Sequence, residues 1–489
     1  MNRNVESHFA ELPTNKFQRS TFDRSFGVKT SFNSGLLIPF MVDEVLPGDT
    51  FDITTSKVVR SQTLLTPLMD NMYLDTYYFF VPNRLVWQHW KEFCGENTEG
   101  AWAPTREYKI PSISAPDGGF SSGSIADYMG LPVGINWSSD DELSPSALPF
   151  RAYALVCNEF FRDENLTDPL LIPTDDANQT GTNGDNYITD VANGGKPFRV
   201  AKFRDYYSSA LPAPQKGEAV GIPLDIPLIN GTFPVQAMPA INSISGDIYP
   251  TLFKLGEYSG SSMTGTSIKK LSSTENRATW MDNDNNTSAV KTQPIGDVSN
   301  GDVMIGSPLN LSAIVNQEGT ASVEFSVNEL RLAFAYQRYL EQLARSGSRY
   351  TELLLGLFGV KSPDARLQRP EYLGGNRTPL NVTEVTNNAQ TDNDYLGDLG
   401  AKSQTNDRNR SFIKSFTEHG ILLGLMCVRY DHSYSQGLNR FWTRKVFTDF
   451  YNPKFANLGE VPIYQAEIYA TSDNLTKEKV FGYQEISAW

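Results

Sequence analysis

Residues 73–81 read Tyr-Leu-Asp-Thr-Tyr-Tyr-Phe-Phe-Val, and Pro82 closes the run. Tyr73, Tyr77, Tyr78, Phe79 and Phe80 fall within this short window, and aromatic residues suit a pleated, half-buried surface. The composition is that of a central strand. Working outward, Leu36–Val42 is apolar but carries Pro39, which marks an edge or bulged strand. Thr50–Arg60 alternates and is rich in Thr and Val. Gly420–Tyr430 and Val461–Ala470 are the late counterparts. Early and late strands separated by long spacers require long-range pairing, as in a jelly roll.

At 489 residues the chain exceeds the ~250–300 at which a single core stops growing, so it holds two domains or one core with long insertions. Hydrophobic residues make up 39% and charged residues 20%, which suits a globular protein with many loops and excludes a disordered one. The net charge of −14 excludes a surface that is basic all over, so any contact with nucleic acid is a local patch or goes through a separate basic partner. Cys94, Cys157 and Cys427 are odd in number and far apart, which speaks for a reducing compartment and against a disulfide framework. Met1–Pro13 shows no signal-peptide h-region, and no run reaches 18 apolar residues, so membrane insertion is not expected.

Residues 1–35 are polar and without periodicity, and read as an extended N-terminal arm more useful on a neighbour than on its own domain. Residues 36–227 and 313–489 are expected to form the core. Residues 228–312 mix Gly, Ser, Asn and Asp with isolated large apolar residues and read as a surface insertion with a small core. Thr174–Lys196 is a surface loop by composition. The clearest helix opens on the capping box Ser326-Val327-Asn328-Glu329, runs to about Arg345 and ends at Gly347. Leu85–Phe93 and Ala147–Phe161 are shorter helix candidates.

No GxSxG, HExxH, Walker A or GxGxxG pattern occurs, so no catalytic residue is nominated. His8, His89, His419 and His432 do not stand at metal-ligand spacing with a cysteine. Asp282-Asn283-Asp284-Asn285-Asn286 opens like an EF-hand loop, but Thr287 and Gln293 occupy the positions that need Gly and Glu. No metal or cofactor is expected. Arg331, Arg338 and Arg345 recur every seven residues near one helix face. They form either a solvated face paired with Glu341 or a basic strip toward phosphates. Arg440-Phe441-Trp442-Thr443-Arg444-Lys445 combines cations with stackable rings, which suits single-stranded nucleic acid or a protein interface.

Further stretches are distinctive together. They include Arg19-Ser20-Thr21-Phe22-Asp23-Arg24-Ser25-Phe26, Val42-Asp43-Glu44-Val45-Leu46-Pro47-Gly48-Asp49-Thr50-Phe51 and Tyr78-Phe79-Phe80-Val81-Pro82-Asn83-Arg84-Leu85-Val86-Trp87. They continue with Lys202-Phe203-Arg204-Asp205-Tyr206-Tyr207, Leu211-Pro212-Ala213-Pro214-Gln215-Lys216-Gly217, Leu367-Gln368-Arg369-Pro370-Glu371-Tyr372-Leu373-Gly374-Gly375 and Phe481-Gly482-Tyr483-Gln484-Glu485. Taken alone, residues 366–375 read as a Gly/Pro turn after a helix. With these stretches in order from residue 19 to 485, the chain resembles the major capsid proteins of the Microviridae, in particular the gokushovirus branch.

The resemblance implies a mainly β protein. Its fold would be an eight-stranded antiparallel jelly roll of viral capsid type with long loop insertions and a few helices. It implies sixty copies in a T=1 shell around a circular ssDNA genome. It also implies a small basic DNA-binding protein, a DNA pilot protein, an internal scaffolding protein during assembly, and a host surface receptor. The location would be the virion capsid, assembled in the bacterial host cytoplasm. In that family a large insertion rises at the three-fold axes, which assigns residues 228–312 to host attachment with Tyr249, Phe253, Tyr258 and Trp280 as its candidate residues. Genome contact falls to Arg440, Trp442, Arg444, Lys445, Arg331, Arg338 and Arg345. Relatives usually run on past Phe-Gly-Tyr-Gln-Glu with more basic character, so either the tail here is short or the sequence is a piece. The alternative reading is a jelly-roll carbohydrate-binding protein or glycosidase, which would need paired carboxylates along an aromatic cleft.

Overall fold

A computed structural model describes residues 19–62, 69–96, 107–139, 143–218, 220, 327–347, 349–364, 368–388, 396–397, 399–453, 459–473 and 477–485, and the backbone of short strands between 240 and 303. Residues 1–18 of the arm, Ser326 of the capping box, Phe253, the Asp282–Asn286 stretch, Arg366 and Leu367 lie outside the described residues. The chain divides into two compact units, Gly221–Ala333 and the remainder.

The larger unit is mainly β and its principal sheets are antiparallel. Strands β1 (Ile38–Val45), β2 (Thr50–Arg60) and β3 (Met72–Pro82) are followed late in the chain by β4 (Glu371–Pro379), β5 (Val382–Thr386), β6 (Leu399–Ser415) and β7 (Gly420–Tyr430). One sheet has the order β1-β7-β3-β4 and a second has the order β5-β6-β2. The 73–81 run is thus central: β7 pairs with it from Pro82 to Met72 on one side, and β4 on the other.

Both faces of the four-stranded sheet are buried, which is why β3 and β7 read as nearly continuous apolar runs. Tyr78, Phe80, Leu422, Met41 and Val45 point to the second sheet and meet Phe412, Phe416, Phe51 and Ile53. Phe79, Val81, Ile421, Leu423 and Leu425 point the other way. That face is closed by α1 (Leu148–Val156), which continues as a π-turn over Cys157–Phe161, and by the loops around it. Burying a Phe or Leu side chain contributes about 1.5–3 kcal/mol each.

Four expectations need correction. The stretch at 366–375 is not a turn throughout, because Glu371 opens β4, with a register shift between Tyr372 and Gly374. A Cβ on Gly375 would lie 2.2 Å from the Thr76 carbonyl oxygen of β3. This glycine therefore serves strand contact. Val461–Ala470 is a strand only over Glu460–Tyr464, and Gln465–Ile468 is helical. Leu85–Phe93 is two single turns, Asn83–Val86 and Trp90–Phe93, parted by an extended Trp87. Thr174–Lys196 is not merely a surface loop, since Gln179, Val191 and Ala192 are buried. Arg151, fully buried on α1, holds this loop by donating to the carbonyls of Asp175 (2.9 Å) and Ala177 (3.2 Å) and to Gln179 Oε1 (3.3 Å).

The long helix α2 spans Val327–Ser346, and Gly347 takes positive φ after it, as the sequence indicates. A second helix, α3 (Tyr350–Phe358), follows. Strands β8 (Glu460–Tyr464) and β9 (Val480–Glu485) form a separate antiparallel pair.

Candidate assembly and nucleic-acid interface

Residues 19–34 form an extended strap with no regular hydrogen-bonding partner strand. It is tied down at intervals. The Arg19 side chain donates to the Gly48 carbonyl, Arg24 pairs with Asp43 at 2.9 Å, and Tyr128 Oη donates to the Ser31 carbonyl at 3.1 Å. Between the strap and the body lies an open cleft of about 2920 Å³, walled by β2, Phe40 and Met41. Phe22 is 78% exposed, and Phe26 and Val28 are also exposed.

Apolar exposure recurs on α3. Its start is fixed by Arg349, whose Nη2 donates to the carbonyls of Asn158 (2.7 Å) and Arg162 (2.8 Å). The Glu352 carboxylate accepts from the Arg349 backbone N–H at 3.3 Å. Burial, helped by Glu164, raises the Glu352 pKa. Tyr350, Leu355, Phe358 and Val360 are left to solvent.

The basic-aromatic segment is a short 3-10 turn, Arg440–Thr443, capped by the Asn439 side chain. Phe441 and Trp442 lie 4.3 Å apart by ring centroids, and Trp442 is 70% exposed. Val446, Phe447, Phe450 and Tyr451 extend the exposed apolar surface. Arg440 donates to the Pro462 carbonyl at 3.4 Å and reaches Tyr206. Arg444 lies over the Phe450 ring at 5.4 Å. Lys445 is exposed.

On α2, Arg345 pairs with the Glu460 and Glu485 carboxylates of the β8–β9 pair. Burial raises the Glu460 pKa against the pull of Arg345. Arg338 and Arg331 are exposed. In the smaller unit, Tyr249, Tyr258 and Trp280 fall in short antiparallel pairs.

His89 Nδ1 is 2.8 Å from Asp176 Oδ1, and its ring stacks on Tyr108. The cysteines are free; burial pushes the Cys427 thiol up to about 12 and raises Cys157 further. No cluster of His, Cys, Asp and Glu among the described residues has the form of a metal site. Where carboxylates do come together, as at Glu460 and Glu485, an arginine lies between them. Sequence reading missed α3; its Leu353-Leu354-Leu355 run was the available signal.

A family model described as "Capsid protein (F protein)" matches residues 10–489. The capsid protein VP1 of Chlamydia phage 1 is 38% identical over 523 residues, covering 98% of this chain and 84% of that protein. The capsid protein VP1 of Bdellovibrio phage phiMH2K is 38% identical over 487 residues, covering 99% and 82%. The capsid protein VP1 of Spiroplasma virus 4 is 34% identical over 488 residues, covering 98% and 81%.

Proposed function

The chain belongs to the capsid protein (F protein) family, and from that premise we propose how this major capsid protein builds its shell. Its role is structural, in the virion, in many copies. The observation that carries the assembly reading is the exposure of large apolar side chains on the strap, on α3 and on residues 441–451. Surfaces of that extent mark interaction sites, and obligate interfaces commonly bury more than ~2,000 Å².

The two-sheet sandwich is read as the jelly roll, supported by the order β1-β7-β3-β4, which sets the first strand beside the late β7. Sixty copies in a T=1 shell around ssDNA are what the family resemblance implies, and we adopt them. The strap is assigned to contact with a neighbouring copy, supported by its exposed Phe22, Phe26 and Val28. The exposed rings at 441–451 are assigned to copy-to-copy contact rather than base stacking, because Arg440 and Arg444 are already engaged within the chain. Residues 228–312 project outward and meet the host; the support is their length, their polar composition and their position within a separate compact unit.

Electron microscopy of the purified full chain is the test. Uniform small shells support the reading, and monodisperse monomers under all assembly conditions overturn it. In assembled particles, replacing residues 228–312 by a short Gly/Ser linker should leave shells that fail to adsorb to the host. Normal adsorption would remove the attachment role.

A further inference from the structure

The outer face of the β5-β6-β2 sheet differs in charge from the rest of this acidic chain. On β6, alternate residues Lys402, Gln404, Asn406, Arg408 and Arg410 are exposed, while Ala401, Ser403 and Thr405 between them are buried. The register sets Arg60 of β2 opposite Gln404, and Thr54 and Ser56 opposite Arg410 and Arg408. The only acid among the described residues of this β2–β6 face is Asp52, and Arg410 holds it at 2.7 Å. Two further acids lie nearby: Asp407 turns inward, where Lys57 pairs with it at 3.1 Å, and Glu384 of β5 stands opposite the inward Ala401 rather than opposite Lys402. Among the described residues, Lys402, Arg60 and Arg408 therefore remain as cations without a carboxylate partner, on a protein of net charge −14.

We propose that this face binds the sugar–phosphate backbone of single-stranded nucleic acid without reading its bases. The proposal rests on the capsid reading and assigns the surface that faces the packaged strand. Residues two apart on one strand face stand about 6.7 Å apart. From Lys402 to Arg408 the unpaired cations thus span about 20 Å, long enough to track several successive phosphates. Gln404, Asn406, Ser56 and Thr54 fill the line with neutral hydrogen-bonding groups. A docking face for a second copy would need an apolar core with aromatic anchors and few lysines. Among its described residues this face has no ring and only Val58, Val385 and Ile413 as large apolar residues. Nucleic-acid interfaces are polar and positive, and backbone contact is set by charge and is sequence-independent.

The test uses the full chain with Lys402→Glu, Arg408→Glu and Arg60→Glu combined. A matched control carries Lys91→Glu, Lys109→Glu and Lys361→Glu, which changes net charge equally at exposed lysines elsewhere. Binding of a fluorescent thymidine 30-mer is followed by anisotropy against salt. The sheet variant should lose at least tenfold in affinity at low salt. Its slope of log K against log salt should shrink by about 2, the value for three phosphate contacts on a single strand. The control should match wild type. Particles of the sheet variant should sediment as shells with a lowered ratio of absorbance at 260 to 280 nm. Glutamine at the three positions serves as a second variant should the glutamates prevent folding, with the same expectations.

Unchanged affinity and slope, or an equal loss in the control, would overturn the proposal. Shells with full nucleic-acid content that no longer adsorb would overturn it in favour of a host surface polyanion. Loss of shells with unchanged affinity would overturn it in favour of an acidic neighbouring copy. Failure of the wild-type chain to form shells strikes the capsid reading instead, so the two failures are distinguishable.

Discussion

Asp75 is a buried acid that two cations share. Arg377 Nε donates to its Oδ1 at 2.8 Å and Arg429 Nε to its Oδ2 at 3.1 Å, and both guanidiniums lie 4.2 Å from the Phe203 ring. The acid thereby joins β3, β4 and β7 to the loop carrying Phe203. Removing one member of a buried charge cluster leaves the others uncompensated. Asp75→Ala should cost about 3 kcal/mol, the low end of the usual ~3–5 because Arg377 reaches solvent, and denaturant unfolding checks it. Asp407 gives a pH-dependent counterpart. Hydrogen bonding from Thr378, then from Lys57, holds its carboxyl below the ordinary 3.8. A depressed acid contributes stability above its unfolded pKa, and that contribution is lost as pH falls through the lower folded value. Asp407→Asn should therefore lower the melting temperature at pH 7, and the difference from wild type should close below pH 3.8, as paired thermal melts would show.

At the level of elements, β2 and β7 match the sequence reading end to end, β2 because its Thr- and Val-rich alternation coincides with period-2 burial and β7 because a continuous apolar run is buried on both faces. The 17-residue β6 was invisible for the opposite reason. Its inward residues Ala401, Ser403 and Thr405 are small or polar, so the chain carries no apolar alternation to detect. β4 was hidden by Pro370 and the Gly374-Gly375 pair, which signal a turn locally but here serve a bulge and a close approach. The extended course of residues 19–34 agrees with their lack of periodicity, yet the tether at Arg19 was not legible, since that bond depends on a carbonyl 29 residues away. The candidate arginines were legible as types but not as environments, and Arg345 in particular is engaged by two acids. Gly375→Ala places a Cβ against the β3 backbone, and overpacking of this kind typically costs about 1–3 kcal/mol. Urea unfolding of the variant should show the loss, while Gly359→Ala, whose position has open space around it, should give a loss governed by its positive φ alone.

For the whole molecule, folding and assembly should separate. Trp442→Asp and Phe358→Asp alter side chains that are largely exposed within one chain, so the melting temperature of the isolated subunit should hold within about 2 °C, as for surface changes of less than ~0.5 kcal/mol. The same variants should fail to sediment as shells in a sucrose gradient. Shell formation at the wild-type level would remove these residues from the interface. The sheet order carries a consequence in time. β3 is complete at Pro82, but the strand that pairs along its whole length begins at Gly420. At roughly 5–20 residues per second of synthesis, about 340 residues separate the two events by roughly twenty seconds to a minute. The most aromatic strand in the protein leaves the ribosome long before either of its partners exists. Its sheet closes only after translation has nearly ended, and a nascent chain halted before residue 420 should be cut by protease within a segment that the finished protein buries.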